Sequence, residues 1–153
     1  MKRILFVCTG NICRSPTAEG VMLHVLTQSG RDKNFIVDSA GTHGYHIDCA
    51  PDPRTIETAM RRGYDLRALR ARQVAQNDFH DFDLILAMDR GHFQSLTRMA
   101  PQGARAEIRM FMDYAKETGI ADVPDPYYGG PVDFEHVLDL VEHGIQGLLR
   151  EFA

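Results

Sequence analysis

An unbroken apolar run, Ile4-Leu5-Phe6-Val7, passes directly into Cys8-Thr9-Gly10-Asn11-Ile12-Cys13-Arg14-Ser15 and then into a helical pattern headed by Pro16. The run reads as a strand, so a cysteine and an arginine six positions apart share one strand-to-helix loop. Such a loop turns backbone N–H groups inward at a helix N-terminus, where unpaired donors and the macrodipole favour an anion. A thiol held there is favoured as its nucleophilic thiolate. Arg14 has the planar fork that grips two oxygens of a phosphoryl group, and the Ser15 hydroxyl can donate to the sulfur. The plain alternative is a buried cysteine closing a strand and a solvated arginine starting a helix. Neither GxxxxGK[ST] nor GxGxxG occurs, so nucleotide binding lacks its usual support.

The rest of the chain alternates strand and helix patterns without repeats or long linkers, which predicts a parallel α/β sheet. Strands are expected at Arg3 to Val7, Phe35 to Ser39, Asp83 to Met88 and Glu107 to Phe111. Ser15 and Pro16 read as the N-cap and first residue of a helix to Gln28, with Gly30 closing it. Pro53 to Arg62 reads as a second helix. Phe134, Val137, Leu138, Val141, Ile145, Leu148, Leu149 and Phe152 form one apolar stripe that belongs on the sheet. In open α/β sheets ligands sit beyond strand C-termini at the point where strand order reverses, and the loop after the first strand fits that place.

At 153 residues and 44% hydrophobic the chain can bury one core, and a single domain over residues 1–153 is expected. The net charge of −4 argues against nucleic acid or an anionic membrane as partner. Met1-Lys2-Arg3 and the apolar run imitate a signal peptide, but the run breaks at Thr9-Gly10-Asn11, too soon for one. Three cysteines, Cys8, Cys13 and Cys49, are too few for a disulfide scaffold. A cytoplasmic location follows as the expectation.

Val7 to Glu19, VCTGNICRSPTAE, resembles the signature loop of the low-molecular-weight protein tyrosine phosphatases. Asp38-Ser39-Ala40-Gly41, Pro51-Asp52-Pro53-Arg54, Ala71-Arg72-Gln73, Asp81 to Asp89 and Asp125-Pro126-Tyr127-Tyr128-Gly129 resemble further landmarks of that family in the same order. The resemblance implies a three-layer fold: a four-stranded parallel sheet of order 2-1-3-4, helices on both faces, and a phosphate-binding loop after strand 1. It implies hydrolysis of phosphotyrosine in proteins through a cysteinyl-phosphate, with Cys8 as nucleophile, Arg14 as phosphate clamp and Asp125 as general acid and base. Thr9, Gly10, Asn11, Ile12, Cys13, Arg14 and Ser15 would bind phosphate, and Asn11, Ser15 and Ser39 would brace the loop. Ile12, Tyr45, Tyr127 and Tyr128 would line the substrate pocket. An apolar Ile12 resembles the tyrosine-directed branch, since the related arginine phosphatases typically carry threonine there. Inorganic phosphate would be the product, no metal or organic cofactor is required, and a monomer is expected.

Each assignment has a plainer reading beside it. Asp125-Pro126 is also ordinary turn chemistry, and Tyr127 and Tyr128 also suit loop anchors. Cys13 resembles the family's second loop cysteine, which can bridge an oxidised nucleophile, yet it also suits a small packing residue. His43, His46 and Cys49 are spaced three apart but fall in a loop with no fourth zinc ligand. The other histidines, His24, His80, His92, His136 and His143, read as surface or boundary residues. The arginine-rich stretch Arg54, Arg61, Arg62, Arg67, Arg70 and Arg72 is either a solvated face or a device that steers acidic substrates. Leu69 stands where the family often has a histidine, so part of its buried network is absent or replaced. Met112 to Asp133, long and turn-rich, reads as a functional loop. An arsenate reductase of similar fold would need a cysteine pair near residues 75 to 90, where there is none. A non-catalytic phosphotyrosine-binding module is the remaining rival.

Overall fold

Period-two burial organises the computed structural model, which describes residues 1–152. In β1 (Lys2–Cys8), Ile4, Phe6 and Cys8 enter one core while Leu5 and Val7 enter another on the opposite face. β1 pairs in parallel with β2 (Phe35–Gly41) and with β3 (Leu84–Ala87), and β3 pairs with β4 (Glu107–Met110). The resulting order β2-β1-β3-β4 is the expected one. A strand buried on both faces needs helices on both, as parallel sheets require. Helices α1 (Arg14–Gln28) and α5 (Pro131–Glu151) share the first core with Ile4 and Phe6. Phe79 of α3 (Asp78–Asp81) and Leu96 of α4 (Arg90–Met99) share the second with Leu5 and Val7.

The apolar stripe of the last helix is buried from Phe134 to Leu149, with Phe152 packed against its edge. Helix α2 (Pro53–Arg61) lies beside α5, tied by Arg62, whose guanidinium meets Glu135, Asp139 and Glu142. Helix α1 closes as expected: Gly30 has φ 71°, its N–H bonds to Thr27 O, and Arg31 N–H reaches back to Leu26 O. Its start differs from expectation. Cys13 is the N-cap and Arg14 the first helical residue, which puts Pro16 third in the helix. Proline is tolerated there because the first four helical N–H groups have no intrahelical partner in any case.

Strand β3 is fully buried and flanked by α3 and α4, helices whose bounds the sequence pattern does not set. The expected loop from Met112 to Asp133 begins inside the 3-10 turn Phe111–Tyr114, carries a second at Lys116–Thr118, gives way to α5 at Pro131, and is pinned to the sheet by Val123 N–H on Met88 O, 2.9 Å. This bond hangs the segment over the C-terminal ends of β1 and β3. Among the described residues, no helix is long and apolar enough to cross a membrane.

Candidate active site

The loop between β1 and α1 is fastened from outside through its carbonyls. Thr42 N–H bonds to Cys8 O (2.8 Å), His43 N–H to Thr9 O (3.0 Å), Asp52 N–H to Ile12 O (2.8 Å), and the Thr17 hydroxyl to Cys13 O (2.7 Å). With those carbonyls occupied by groups outside the loop, the amides of Gly10 to Cys13 donate to no backbone carbonyl among the described residues and are left available to an anion. That is an anion cradle at the N-terminus of α1. Gly41 makes the close approach possible: a Cβ there would lie 2.6 Å from Thr9 O and 2.9 Å from His43 O.

Asn11 holds the bend. Its φ of 58° is left-handed, a conformation that asparagine adopts more readily than most residues. All three of its amide contacts are internal: Nδ2 donates to Ser15 Oγ (2.8 Å) and Ser39 Oγ (2.9 Å), and Oδ1 accepts from Arg72 N–H (3.0 Å). Because Ser15 Oγ accepts from Asn11, its own proton is available to Cys8 Sγ at 3.0 Å, with the Ala40 carbonyl at 3.5 Å as the longer alternative. Because Ser39 Oγ likewise accepts from Asn11, its proton goes to Glu19 Oε1 at 2.6 Å. Donation therefore diverges from Asn11, in one direction through Ser39 to buried Glu19 and in the other through Ser15 to the sulfur. Burial, reinforced by nearby Asp38, pushes the Glu19 carboxyl up to about 7, against the opposing effects of the Ser39 hydrogen bond and Arg72.

Arg14, only 4% exposed, is clamped from three sides. Nη1 donates to Asp89 Oδ2 (2.8 Å) and Val123 O (3.1 Å), and Nη2 reaches Thr9 Oγ1 (3.4 Å). Both Nη1 hydrogens are thus committed, which leaves Nε–H and the second Nη2–H as a two-pronged fork. Asp125 Oδ2 stands 3.8 Å from Nη2, half exposed at the mouth, and its Oδ1 accepts from Tyr127 N–H (3.1 Å). Asp89 caps α4 through His92 N–H.

Cys8, Thr9, Gly10, Ile12, Cys13, Arg14, Tyr45, His46, Asp125, Tyr127 and Tyr128 line one cleft of about 380 Å³. Cys8 is at its floor, 3% exposed, and the aromatics stand at its rim. Tyr45 stacks on His43 (4.9 Å, 13°), and Tyr127 meets Tyr128 edge to face (4.9 Å). Arg54 lies over the Tyr127 ring (5.5 Å) while gripping Asp52 with two hydrogen bonds, so one wall is tied to the loop carbonyl that Asp52 holds.

The whole chain from residue 3 to residue 153 matches the model of the family described as low molecular weight phosphotyrosine protein phosphatase. The chain belongs to that family. A low-molecular-weight protein-tyrosine-phosphatase of Streptomyces coelicolor is 45% identical, over 96% of this chain and 91% of its own. Among solved structures, a protein tyrosine phosphatase of Entamoeba histolytica superposes with a TM-score of 0.94 at 37% identity, covering 99% of this chain and 97% of that one. A Drosophila arginine phosphatase gives 0.93 at 28% identity, covering 99% and 98%.

Within this phosphatase-family chain several site residues carry no local signature. Asp89 and His92 are the main ones. Asp89 ends the landmark after β3, where strand C-termini gather ligands, and that position was the available signal. His92 is not the surface or boundary residue that its place on a helix suggests. It is 5% exposed and its Nε2 lies 2.7 Å from Thr9 Oγ1. His24 is half-buried, and His80, His136 and His143 are exposed. Leu69 packs against the main core. Burial pushes the Cys13 thiol up to about 12, which keeps it neutral. Cys8, Cys13 and Cys49 are all free thiols, Cys49 exposed, and among the described residues no group of three or more His, Cys, Asp or Glu side chains is placed to hold a metal ion.

Every arginine of the arginine-rich stretch except Arg70 is paired with a carboxylate. Arg54 pairs with Asp52, Arg61 with Glu57 and Glu135, Arg67 with Asp65, and Arg72 with Asp38 and Asp78, while Arg70 donates to the carbonyls of Arg67 and Leu69. Arg72 is a structural tie: its carbonyl accepts from Gly41 N–H and fixes the end of β2. These pairs favour the solvated-face reading over steering.

Proposed function

We propose that this protein hydrolyses phosphotyrosine in proteins in two steps, with Cys8 as nucleophile. The observation that carries the reading is the convergence, in one cleft, of Cys8 Sγ 3.0 Å from the Ser15 hydroxyl and an Arg14 guanidinium whose Nη2 is 3.8 Å from the Asp125 carboxylate. The Cys8 thiolate attacks phosphorus. Three equatorial oxygens are met by the available amides of the loop and by the Nε and Nη2 hydrogens of Arg14, which act where charge spreads in the transition state. Asp125 delivers a proton to the departing phenolate, then takes one from the water that cleaves the cysteinyl-phosphate. In that second step Ser15, its hydroxyl already aimed at the sulfur by Asn11, stabilises the returning thiolate. Inorganic phosphate is released, and no step calls for a metal or organic cofactor.

Selectivity for the phenolic ester rests on depth. The sulfur lies at the floor while Tyr45 and Tyr127 stand at the rim, so an aromatic ring bridges the distance that a serine side chain leaves open. Half-buried Ile12 lines the same cleft and offers no hydroxyl, which favours an apolar ring over a guanidinium. Cys13, a neutral thiol in the same lining, is the group that would condense with an oxidised Cys8. Turnover of phosphotyrosine, phosphoserine and phosphoarginine peptides, with Cys8→Ser as control, tests the reading. Preferred, Cys8-dependent turnover of phosphotyrosine supports it. A preference for phosphoarginine overturns the role of Ile12, and tight binding without turnover makes the protein a phosphotyrosine-binding module.

A further inference from the structure

Arg14, Asp89, His92 and Thr9 close a ring of polar contacts beneath the cleft. Asp89 Oδ2 accepts from Arg14 Nη1 (2.8 Å), Asp89 Oδ1 accepts from His92 N–H (2.9 Å), His92 Nε2 meets Thr9 Oγ1 (2.7 Å), and Thr9 Oγ1 accepts from Arg14 Nη2 (3.4 Å). The residues come from the end of β1, the start of α1, the end of β3 and the first turn of α4. Nothing in their spacing along the chain brings them together.

The proton inventory gives the ring a direction. Among the described residues His92 Nδ1 has no aligned hydrogen-bond partner, and the charged group beside it is Asp89 Oδ1 at 3.1 Å, which can only accept. The imidazole proton therefore belongs on Nδ1, facing the carboxylate. Nε2 is then an acceptor, so the Thr9 hydroxyl donates to it and turns its lone pairs toward Arg14. Burial and the charge of Arg14 hold the imidazole down to about 4, against the opposing effect of Asp89, which keeps this arrangement neutral over the working range.

We infer that His92 is a positioning residue for phosphoryl transfer: by accepting the Thr9 proton it fixes Thr9 Oγ1 as the support for Nη2, and so sets the plane of the Arg14 fork. With Nη1 held by Asp89 and Val123, Thr9 Oγ1 is, among the described residues, the hydrogen-bonding support of the Nη2 edge offered to phosphate, the half-exposed Asp125 carboxylate standing farther off at 3.8 Å. Neither side chain needs to touch the substrate for this. The inference rests on the phosphatase reading above.

The test is a double-mutant cycle on the full chain, with Thr9→Val and His92→Leu singly and together, and His92→Gln as the conservative variant. Aryl phosphate turnover, competitive inhibition by vanadate and thermal unfolding are measured for each. Each single substitution is expected to lower kcat about tenfold and to weaken vanadate to a similar degree, because both report the fork. The double variant is expected to fall no more than about threefold below either single one, and His92→Gln, whose Oε1 can take the Thr9 proton, to lie within about threefold of the unaltered protein. Multiplicative losses, a His92→Gln variant as slow as His92→Leu, or a lowered Tm with unchanged kcat and vanadate affinity would each overturn the inference. Thr9→Val, a near-isosteric change, keeps the test decisive if His92→Leu does not fold. An unaltered protein without Cys8-dependent turnover would overturn the phosphatase reading itself, and the inference with it.

Discussion

Glu19→Gln isolates the energetic effect of burying a carboxyl beneath the phosphate loop. Folded, the Glu19 carboxyl keeps its proton up to about pH 7, whereas in the unfolded chain it loses it near its ordinary 4.5. Below 4.5 both states are protonated. Between 4.5 and 7 only the unfolded state releases the proton, so stability falls as pH rises through this window and the full loss is in place above it. At ~1.4 kcal/mol per pH decade the ceiling is about 3 kcal/mol. Glutamine keeps an oxygen for the Ser39 hydroxyl but cannot ionise, so its advantage over the native protein should grow from near zero at acid pH toward about 3 kcal/mol at alkaline pH. His92 acts in the opposite sense, since a depressed imidazole costs stability as pH falls from 6.5 to about 4, but it is common to both proteins and cancels in the difference. The chain has no tryptophan, so urea unfolding followed by far-UV circular dichroism at several pH values is the suitable assay. A difference between the two proteins that does not change with pH would refute the reasoning, even if it were large.

Asp125→Asn is expected to lower kcat on phenyl phosphate by roughly 10²–10⁴-fold with little change in KM, and less on esters with better leaving groups; equal rates on all esters would remove Asp125 from proton delivery. Gly41→Ala forces a Cβ against the carbonyls of Thr9 and His43, so a loss of roughly 1–3 kcal/mol in unfolding free energy together with slower turnover is expected; native-like values of both would mean the loop does not need that approach. Because the arginines around α2 are matched by carboxylates, kcat/KM for an acidic phosphopeptide should fall less than about threefold as salt rises from ~0.05 to ~0.5 M, whereas a steep decline would restore the steering role.

What could be read from the sequence was whatever local spacing encodes. The unbroken apolar run Ile4 to Val7, the stripe that α5 carries from Phe134 to Leu149 and the strand-loop-helix at Cys8 to Arg14 are each written within a few turns of chain. Helix α4 was not legible because its only buried residues are His92 and Leu96, too thin a stripe to mark a face. The start of α1 shifted because proline fits any of the first helical positions, so Pro16 marks a first turn without fixing its first residue. The supports of the site resisted sequence reasoning for a different reason. Thr9 and His92 are 83 residues apart, Arg14 and Asp89 are 75 apart, and Arg72 meets Asn11 over 61, pairings that exist only once the sheet has brought β1, β2 and β3 together. Glu19 was inside a recognisable motif, yet its burial and its bond to Ser39 depend on β2 lying against α1.

The proposed reaction requires that Cys8 form a covalent bond to phosphorus. Rapid acid quenching of the protein during turnover of an aryl phosphate, followed by peptide mass spectrometry, tests it most directly. A phosphoryl group is expected on Cys8, absent from Cys8→Ser and appearing more slowly in Asp125→Asn. Undiminished turnover by Cys8→Ser, or a phosphoryl group on any other side chain, would contradict it.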